Sequence, residues 1–536
     1  MVYDIPTRMN MGRRGRWSAL GTRVALAAAL IGLLAAAGYA QPLRIAAWNV
    51  TNYTGGRITD IQTAVYAEFE GRSMRPDVIA CQEFTSQNAV DIFLWALNNA
   101  PGSPGDWAAA PFFNGPDTDN AFFYRTGRVE FLGATIISFG GPSPLPPRDT
   151  TRYDFRPIGY TGPTATIALY SVHMKAQESG SDDDARRLLE AQRIVADIAT
   201  LPAGWHPIMG GDTNIQTAFA NEYRALVGPD PLNPTGPLFD PIMSPGAWNN
   251  NCFFRFIHTQ DPSGSGGMDD RHDQILIGAG LRDGVGLDYL GSLTTPYSTT
   301  TWNDPNHSYR AWGNDGTTCN GPIAVAGNTM VGPAIAQALR NIATTSGGHL
   351  PVFLDLRLPP KIDAPTSLAF GEVPQGAGGG SVGVTITIAN AADTALWTAP
   401  AIADLRYTME ASPGFSAPSG PFADPAGGGG QTHTILMDTS TPGLKTGTLT
   451  ISSDDPDTPV VIVTLSGTVL GAGGCQADWN GDGTVTSSDI SAFLTDWLAS
   501  LGGNTLEADF NGDGTVTSTD ISAFLTAWLE DVGHPC

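Results

Sequence analysis

The chain has 536 residues, of which 41% are hydrophobic and 15% are charged, and its formal net charge is −24. This composition is typical of several folded domains and excludes a disordered chain. The negative charge also excludes the broad basic face of a high-affinity nucleic-acid binder, so any phosphate chemistry must be local and metal-assisted.

The first 40 residues have the pattern of a secretory signal peptide. Arginines precede the apolar stretch "VALAAALIGLLAAAGYA", and the small residues Gly38 and Ala40 favour cleavage before Gln41. An uncleaved membrane anchor is the alternative, although a stretch of about 17 residues is marginal for a span. We therefore expect a mature protein that is secreted or exposed at the cell surface and has no later membrane segment.

Residues 41–360 alternate strand-like and helix-like segments. Short apolar runs such as "LRIAAWNV", "PDVIACQE" and "ATIALYSVHM" are bounded by turn residues, whereas "DARRLLEAQRIVADIATL" carries apolar residues at helical spacing. Long Gly-, Pro-, Asn- and Asp-rich segments between them are typical of loops that form functional sites. The pattern predicts an α/β domain with mixed sheets covered by helices.

Polar side chains end or interrupt several of these apolar runs. One such residue alone often only caps a turn, but a series of them in one domain predicts a shared site at the edge of the sheets. The series is Asn49, Glu83, His173, Asp212, Asn214, Asp273 and His349.

Basic residues near this series are candidates for contact with an anionic substrate. The segment "PPRDTTRYDFRP" offers Arg148, Arg152 and Tyr153, and Lys175 follows His173 by two residues. A solvated loop is the alternative for that segment. The remaining histidines, His272 among them, are interpreted as structural or surface groups.

Residues 361–470 follow the proline-marked segment "LPPKIDAP" and change character. Runs such as "GVTITIAN" and "VVIVTLSGTV" alternate with period two between Gly-, Pro- and Asp-rich turns, which predicts a small antiparallel β-sandwich. Because this segment has almost no cluster of titratable residues, we interpret it as a spacer or a binding module.

Residues 471–536 contain a repeat with a period of 31 residues. Each copy places oxygen-bearing side chains at loop positions 1, 3, 5 and 12, a glycine at position 6 and a carbonyl at position 7, which is EF-hand spacing with Asp in place of the usual Glu. Each loop runs into an amphipathic helix, "DISAFLTDWL" or "DISAFLTAWL". The predicted calcium ligands are Asp478, Asn480, Asp482, Thr484 and Asp489 in the first copy and Asp509, Asn511, Asp513, Thr515 and Asp520 in the second.

Export makes disulfides feasible for the five cysteines. Cys475 and Cys536 bracket the repeat and are a plausible pair, and Cys252 can pair with Cys319. Cys81 lies inside the apolar run "DVIAC" and is expected to be a free core thiol. Sequence alone does not fix the pairing.

The pieces "WNV", "QE", "SVH", "GDTN", "RHD" and "HLPV" occur in an order that resembles the endonuclease/exonuclease/phosphatase superfamily over nearly all of residues 43–356. The resemblance implies a four-layer sandwich, in which two β-sheets pack face to face with helices outside. It also implies a hydrolase that cleaves phosphate esters with Mg²⁺ or Mn²⁺.

The same resemblance assigns roles to the residues that match its motifs. Glu83, with Asn49, would position the metal. Asp212 would align or deprotonate the attacking water, and Asn214 would hold that water or the phosphate.

The two histidines of the series have roles by the same resemblance. His173 would bind a phosphate oxygen. His349 would polarise the phosphoryl group or transfer a proton, and Asp273 would fix its tautomer. These residue types suit the reaction because an imidazole that titrates near neutral pH can donate or shuttle a proton.

One position departs from the family pattern. Gly348 stands where the family usually has Asp directly before the last His, so a carboxylate that helps to bind metal is missing. Asp269 and Asp270 lie close in sequence to Asp273, but no pattern shows that they reach the metal. The departure supports an alternative in which the domain is catalytically degenerate and is kept for binding.

The C-terminal repeat resembles a dockerin domain, and residues 361–470 resemble an Ig-like sandwich. The dockerin resemblance implies two bound Ca²⁺ ions and a cohesin-like protein partner, and Cys475 and Cys536 would then join the two ends of the domain. The favoured function is a secreted, metal-dependent phosphodiesterase acting on nucleic acid. A phospholipid or sugar-phosphate phosphoesterase and a binding or scaffold protein are the alternatives.

Overall fold

A computed structural model describes residues 40–178, 182–264, 266–344, 347–471, 475–503 and 505–533. The predicted signal peptide, apart from Ala40, lies outside the described residues, and so does Cys536 with its predicted pairing. The chain forms two compact units. The first contains the chain up to Pro359 together with Ala392–Ala403, and the second contains Pro360–Ala391 and the chain from Asp404 onwards.

The described part of the first unit forms strands and helices in alternation, as the sequence predicts. Its strands are β1 (Leu43–Tyr53), β2 (Val78–Phe84), β3 (Trp107–Ala109), β4 (Asp119–Arg125), β5 (Val129–Ser138), β6 (Thr150–Pro157), β7 (Ile167–His173), β8 (His206–Asp212), β9 (Leu238–Phe239), β10 (Asp273–Gly278), β11 (Asp288–Tyr289), β12 (Arg310–Ala311) and β13 (Val352–Arg357). Its helices are α1 (Ile58–Tyr66), α2 (Gln87–Asn98), α3 (Asp183–Ile198), α4 (Asn221–Val227) and α5 (Gly332–Ala343). Short 3₁₀ turns lie at Pro163–Ala165, Cys252–Phe254, Ala279–Leu281 and Ala399–Ala401.

Two mixed sheets can be traced through the described residues of this unit. In the first, the strand order is β11-β13-β1-β2-β4-β3, with β12 paired to β13. In the second, the order is β5-β6-β7-β8-β10-β9. The central strands are almost continuously apolar and buried, which is expected when both faces of a sheet are covered.

Helices cover the two sheets on separate faces. Helices α1, α2 and α5 share a hydrophobic core with β1 and β2, whereas α3 and α4 share another with β7 and β8. The remaining faces of the two sheets meet, since Gln82 of β2 donates a hydrogen bond to the hydroxyl of Ser171 in β7 at 3.0 Å. This arrangement supports the predicted sandwich.

The pairing of the cysteines in the first unit agrees with the expectation from the sequence. Cys252 and Cys319 form a disulfide with their Cα atoms 5.7 Å apart, and Cys81 is a buried free thiol in β2.

The segment Ala392–Ala403 packs inside the first unit, although it follows the start of the predicted β-sandwich in sequence. The Trp397 side chain is 1% exposed, and the guanidinium of Arg128 lies 3.7 Å from its ring centroid. The Leu358 N–H donates to the Ala401 carbonyl, and the Ala403 N–H donates to the Leu358 carbonyl, each at 2.8 Å. These contacts make the segment part of the first unit.

The second unit begins with short strands that alternate buried and exposed side chains, as the period-two pattern predicts. They are β14 (Ile362–Asp363), β15 (Ser367–Pro374), β16 (Ser381–Asn390), β17 (Leu405–Ala411), β18 (Phe415–Ser416), β19 (Phe422–Asp424), β20 (Gln431–Asp438), β21 (Gly443–Ser453) and β22 (Val460–Leu470). Within the described residues they form two sheets, β14-β16-β20-β18 and β15-β22-β21-β17-β19, around one hydrophobic core.

The repeat forms two helices, α6 (Ser487–Gly503) and α7 (Ser518–Asp531). The two copies of the repeat contact each other reciprocally. The Trp497 indole N–H donates to the Thr517 carbonyl, and the Trp528 indole N–H donates to the Thr486 carbonyl, both at 2.8 Å. Since each contact is the other shifted by one repeat, the two copies are related by approximate two-fold symmetry. Among the described helices, none is long and apolar enough to cross a membrane.

Candidate active site

Strand register in the second sheet aligns three of the predicted residues. His173 ends β7 and lies opposite Asp212, which ends β8, while Asp273 begins the antiparallel strand β10 and also lies opposite Asp212. The three side chains therefore occupy one edge of the sheet, where the sequence series predicts a site.

The first sheet brings Asn49 and Glu83 to the same place. The Asn49 side-chain N–H₂ group donates to Glu83 Oε1 at 2.9 Å and to Asp212 Oδ2 at 3.0 Å, so it links the two sheets. The Asn49 oxygen accepts the backbone N–H of Thr51 at 2.9 Å, which holds this orientation of the amide. Asn49 thus positions the two carboxylates, and its own oxygen is already occupied.

Glu83, His173 and Asp212 form a candidate metal centre. One ligand atom from each lies within 4.8 Å of the other two. The His173 Nε2 atom is 3.4 Å from Asp212 Oδ2 and 3.7 Å from Glu83 Oε1. Two carboxylates and one imidazole are a donor set that suits Mg²⁺ or Mn²⁺, and the nitrogen donor favours Mn²⁺. The sequence expectation gave His173 a phosphate-binding role, whereas the structure places it among the potential metal ligands.

His349 lies directly beside this centre. Its Nδ1 atom is 2.7 Å from Asp273 Oδ2, and its Nε2 atom is 3.4 Å from Asp212 Oδ2. Burial alone would lower the pKa of His349, but the Asp273 and Asp212 carboxylates outweigh burial and raise the pKa to about 10. The imidazole is therefore protonated at neutral pH, with Nε2–H pointing towards the centre.

The pKa values of Asp212 and His173, in contrast to that of His349, are lowered. Burial alone would raise the pKa of Asp212, but the charged imidazole of His349 outweighs burial and holds that pKa below its usual range. Burial, followed by the charge of Arg148, lowers the pKa of His173 to about 4. At neutral pH the site therefore holds an ionised Asp212, a neutral His173 and a charged His349. A neutral imidazole is the form that binds a metal.

Local backbone geometry explains the segment "GGDTN". Gly211 has φ +140°, and a Cβ atom there would stand 2.2 Å from the Val172 carbonyl oxygen, so only glycine fits between the strands. Asn214 has φ +50°, a left-handed conformation that Asn tolerates. Its backbone N–H donates to Asp212 Oδ1 at 3.1 Å, and its side chain donates to the Met174 carbonyl at 3.2 Å. Asn214 thus orients Asp212.

The predicted substrate-binding residues separate into different environments. Arg148 is close enough to lower the pKa of His173, and its guanidinium pairs with Asp117 at 2.8 Å. Lys175 pairs with Glu178 at 2.9 Å.

The structure does not bring Arg152 or Tyr153 to the site. Both lie on β6, where successive side chains point to opposite faces. Arg152 pairs with Asp154 at 2.9 Å and with Asp197 at 2.7 Å. Tyr153 is 1% exposed and stacks on Phe122 at 4.6 Å. The expectation that these two residues contact substrate is corrected accordingly.

Gly348 has a structural explanation. A Cβ atom at this position would stand 2.0 Å from the carbonyl oxygen of Ala343, at the end of α5. The Asp that the family usually has here does not fit against this helix end. Sequence reasoning identified the missing carboxylate but not the contact that excludes it.

His272 and Asp270 are named from the sequence, but the sequence pattern gives neither of them a role in the site. The His272 ring centroid is 6.3 Å from that of His349. Burial lowers the pKa of His272 to about 4, so the imidazole is neutral at neutral pH. Their position in "DDRHDQ", directly before Asp273, is a signal that could have indicated them.

A cavity of about 560 Å³ lies at the other end of β1, lined by four arginines, Arg44, Arg72, Arg75 and Arg310, and by Trp302. None of the predicted site residues lines it. The cavity and the predicted site residues therefore lie in different places. We assign the candidate active site to the convergent carboxylates and imidazoles, because these groups can carry out catalysis.

The two C-terminal loops have the same geometry. Asp489 is fully buried, and its two carboxylate oxygens accept the N–H groups of Asn480 at 3.2 Å and Thr486 at 2.8 Å. Asp520 does the same in the second copy with Asn511 at 3.1 Å and Thr517 at 2.7 Å. The remaining predicted ligands are oxygen donors in a loop that turns at a positive-φ glycine, a set that suits Ca²⁺.

Comparison with known families identifies the C-terminal repeat. Residues 476–524 match the family model of the dockerin type I domain. A search of curated proteins finds no match.

Solved structures similar to this chain correspond to its first 60% or so. TDP2 of D. rerio, complexed with single strand DNA product, is 14% identical, with 59% of this chain and 98% of that chain covered and a TM-score of 0.34. The human Nocturnin catalytic domain with bound sulfate anion is 12% identical, with 59% and 94% covered and a TM-score of 0.34. An endonuclease/exonuclease/phosphatase from Bacteroides vulgatus is 11% identical, with 59% and 99% covered and a TM-score of 0.33.

Proposed function

We propose that the first unit is a metal-dependent phosphoesterase of the endonuclease/exonuclease/phosphatase type, with the four-layer sandwich of that family. The observation that carries this proposal is the convergence of Glu83, His173 and Asp212 within 4.8 Å, beside the protonated His349. A cation site next to a fixed proton donor is an arrangement that can catalyse phosphoester hydrolysis.

A divalent cation held by these three residues would neutralise charge on the phosphoryl oxygens and polarise the phosphorus for attack. Asp212 accepts a hydrogen bond from the attacking water and orients it. Because the pKa of Asp212 is held below its usual range, it is a weak base and acts by alignment more than by proton removal.

His349 supplies the proton in the same step. The water oxygen bonds to phosphorus, the bond between phosphorus and the leaving oxygen breaks, and Nε2–H of His349 donates its proton to that oxygen. Once bonded to phosphorus, the water oxygen releases one proton, which Asp212 passes to the neutral His349 beside it and thereby restores the imidazolium. Asp273 keeps Nδ1 of His349 hydrogen-bonded at 2.7 Å and thereby fixes the ring orientation. Asn214 and Asn49 hold the carboxylates, and Arg148 would contact the phosphate.

We propose a phosphodiester as the substrate class and nucleic acid as the first substrate to test. The signal pattern favours a secreted protein. The dockerin type I match supports two Ca²⁺ ions in the C-terminal domain and a cohesin-like partner, with residues 361–470 as an Ig-like spacer.

Hydrolysis by the purified chain tests the proposal. Plasmid DNA, RNA, a phospholipid and an inositol phosphate are incubated with Mg²⁺, Mn²⁺ or EDTA, using the wild-type chain and the Asp212→Ala variant. Asp154→Asn is the matched control because Asp154 is a buried carboxylate in the same sheet that pairs with Arg152. Cation-dependent cleavage of one substrate that is lost only in Asp212→Ala supports the proposal. Cleavage of none, or equal cleavage by all three proteins, supports a scaffold role.

A further inference from the structure

His272 is a buried imidazole whose polar atoms have nothing to bond. The residue is 5% exposed, and both ring nitrogens are buried without a hydrogen-bond partner among the described residues. Burying a polar group without a hydrogen-bond partner is unfavourable. The surroundings of His272 are therefore complete only when another species supplies a partner.

Asp270 presents a second buried atom of the same kind. Its Oδ1 atom has no partner among the described residues and lies 3.9 Å from His272 Nε2. This distance is too long for a hydrogen bond. Metal–donor bonds to N and O are about 2.0–2.2 Å, so two donors of one ion stand roughly 3–4 Å apart. The separation of the two atoms therefore matches that of two donors to one cation.

Negative charge accumulates around this pair. Burial and then the neighbouring Asp269 and Asp261 raise the pKa of Asp270 to about 6, so it is still ionised at neutral pH. Asp261 also contacts the segment that contains Gly347 and Gly348, since its Oδ1 accepts the Gly347 N–H at 2.7 Å. The acidic cluster therefore lies against the segment where the family's carboxylate is missing.

The region around the pair is rich in carboxylates. These carboxylates are those of Glu83, Asp212, Asp261, Asp269, Asp270 and Asp273, whereas the cationic groups that act on this region are His349, Arg57 and Arg148, the last already paired with Asp117 at 2.8 Å. This excess of negative charge favours a bound cation.

We propose that His272 Nε2 and Asp270 Oδ1 bind a second divalent cation next to His349. Water or a substrate phosphate oxygen completes its coordination. The imidazole donor favours Mn²⁺, Co²⁺ or Zn²⁺ over Mg²⁺ and Ca²⁺. The site compensates for the carboxylate that Gly348 cannot supply, and its existence does not depend on the proposed reaction.

Counting bound Co²⁺ tests this site directly. The full chain is first saturated with Ca²⁺ to fill the dockerin loops, and Co²⁺ is then titrated and followed by calorimetry and visible absorption. The wild-type chain is expected to bind two Co²⁺ ions. Asp270→Asn and His272→Gln should each retain one, with affinity for the other reduced by more than about tenfold.

Two further variants separate this proposal from the proposed function. Glu83→Gln should lose the cation at the candidate metal centre and keep the one at His272. His206→Gln, a buried histidine that bonds the Thr164 carbonyl far from the site, should keep both. Thermal unfolding of each variant verifies the fold.

Two results would overturn the second site. One is a His272→Gln variant that binds as many Co²⁺ ions as the wild-type chain. The other is a wild-type chain that binds a single Co²⁺ which Glu83→Gln removes, because the buried pair would then hold only water.

Discussion

Gly348→Ala is the substitution whose outcome follows most directly from the geometry. The added Cβ atom would stand 2.0 Å from the Ala343 carbonyl oxygen and 2.5 Å from its Cβ atom. Ala343 is fully buried at the end of α5. Neither group is the mobile end of a long side chain, so backbone must move.

The cost can be estimated from overpacking of buried sites, which is typically about 1–3 kcal/mol. A loss of 1 kcal/mol lowers Tm by about 2–4 °C in domains of 150–250 residues, and by less in a larger unit. We therefore expect the first unit of Gly348→Ala to unfold about 1–4 °C below the wild type. Gly348→Asp meets the same clash and should not improve cation binding, even though it restores the family residue.

Scanning calorimetry of the full chain measures this difference. Gly321→Ala is the control, because a Cβ atom there has open space and the backbone is not in the left-handed region. A Gly348→Ala variant with the wild-type Tm would contradict the clash with Ala343. A Gly348→Asp variant that keeps that Tm and binds Mn²⁺ more tightly would contradict it as well.

Three other predictions follow from the same contacts. Asp273→Asn removes the carboxylate that raises the pKa of His349. Since hydrolysis needs the imidazolium, which is lost as pH rises through this pKa, the alkaline limb of the pH–rate profile should move to lower pH, and an unmoved limb would contradict the role of the pair. Trp397→Ala should destabilise the first unit by about 3–5 kcal/mol in denaturant unfolding, because it removes a buried ring; Trp95→Ala, at an exposed position, should have little effect, and equal effects would count against the packed segment. Asp489→Ala should reduce the calcium stoichiometry from two to one by calorimetry, whereas a retained second ion would exclude Asp489 as a ligand.

Strand ends made the candidate site predictable. His173 and Asp212 follow apolar runs, and Asp273 precedes one. Parallel and antiparallel neighbours bring such ends to the same edge of a sheet. A list of polar strand ends therefore anticipated the cluster without any knowledge of strand order.

Side-chain direction and long-range packing were not predictable in the same way. The segment around Arg152 reads as a loop because it is polar, yet it forms β6, and alternation along that strand buries Tyr153 and turns Arg152 to the opposite face. The packing of Trp397 under Arg128 joins residues that are far apart in sequence, and no local pattern encodes it. His272 resembled an ordinary core histidine because its unpaired state is visible only in three dimensions.

The most direct test of the central claim is the rate of phosphodiester hydrolysis as a function of Mn²⁺ concentration. The wild-type chain, Glu83→Gln and Asp154→Asn are compared on the substrate that the wild type cleaves fastest. If Glu83, His173 and Asp212 hold the cation that hydrolysis needs, Glu83→Gln should require at least about tenfold more Mn²⁺ for half-maximal rate, and Asp154→Asn should match the wild type. Identical Mn²⁺ dependence in all three proteins would contradict the account.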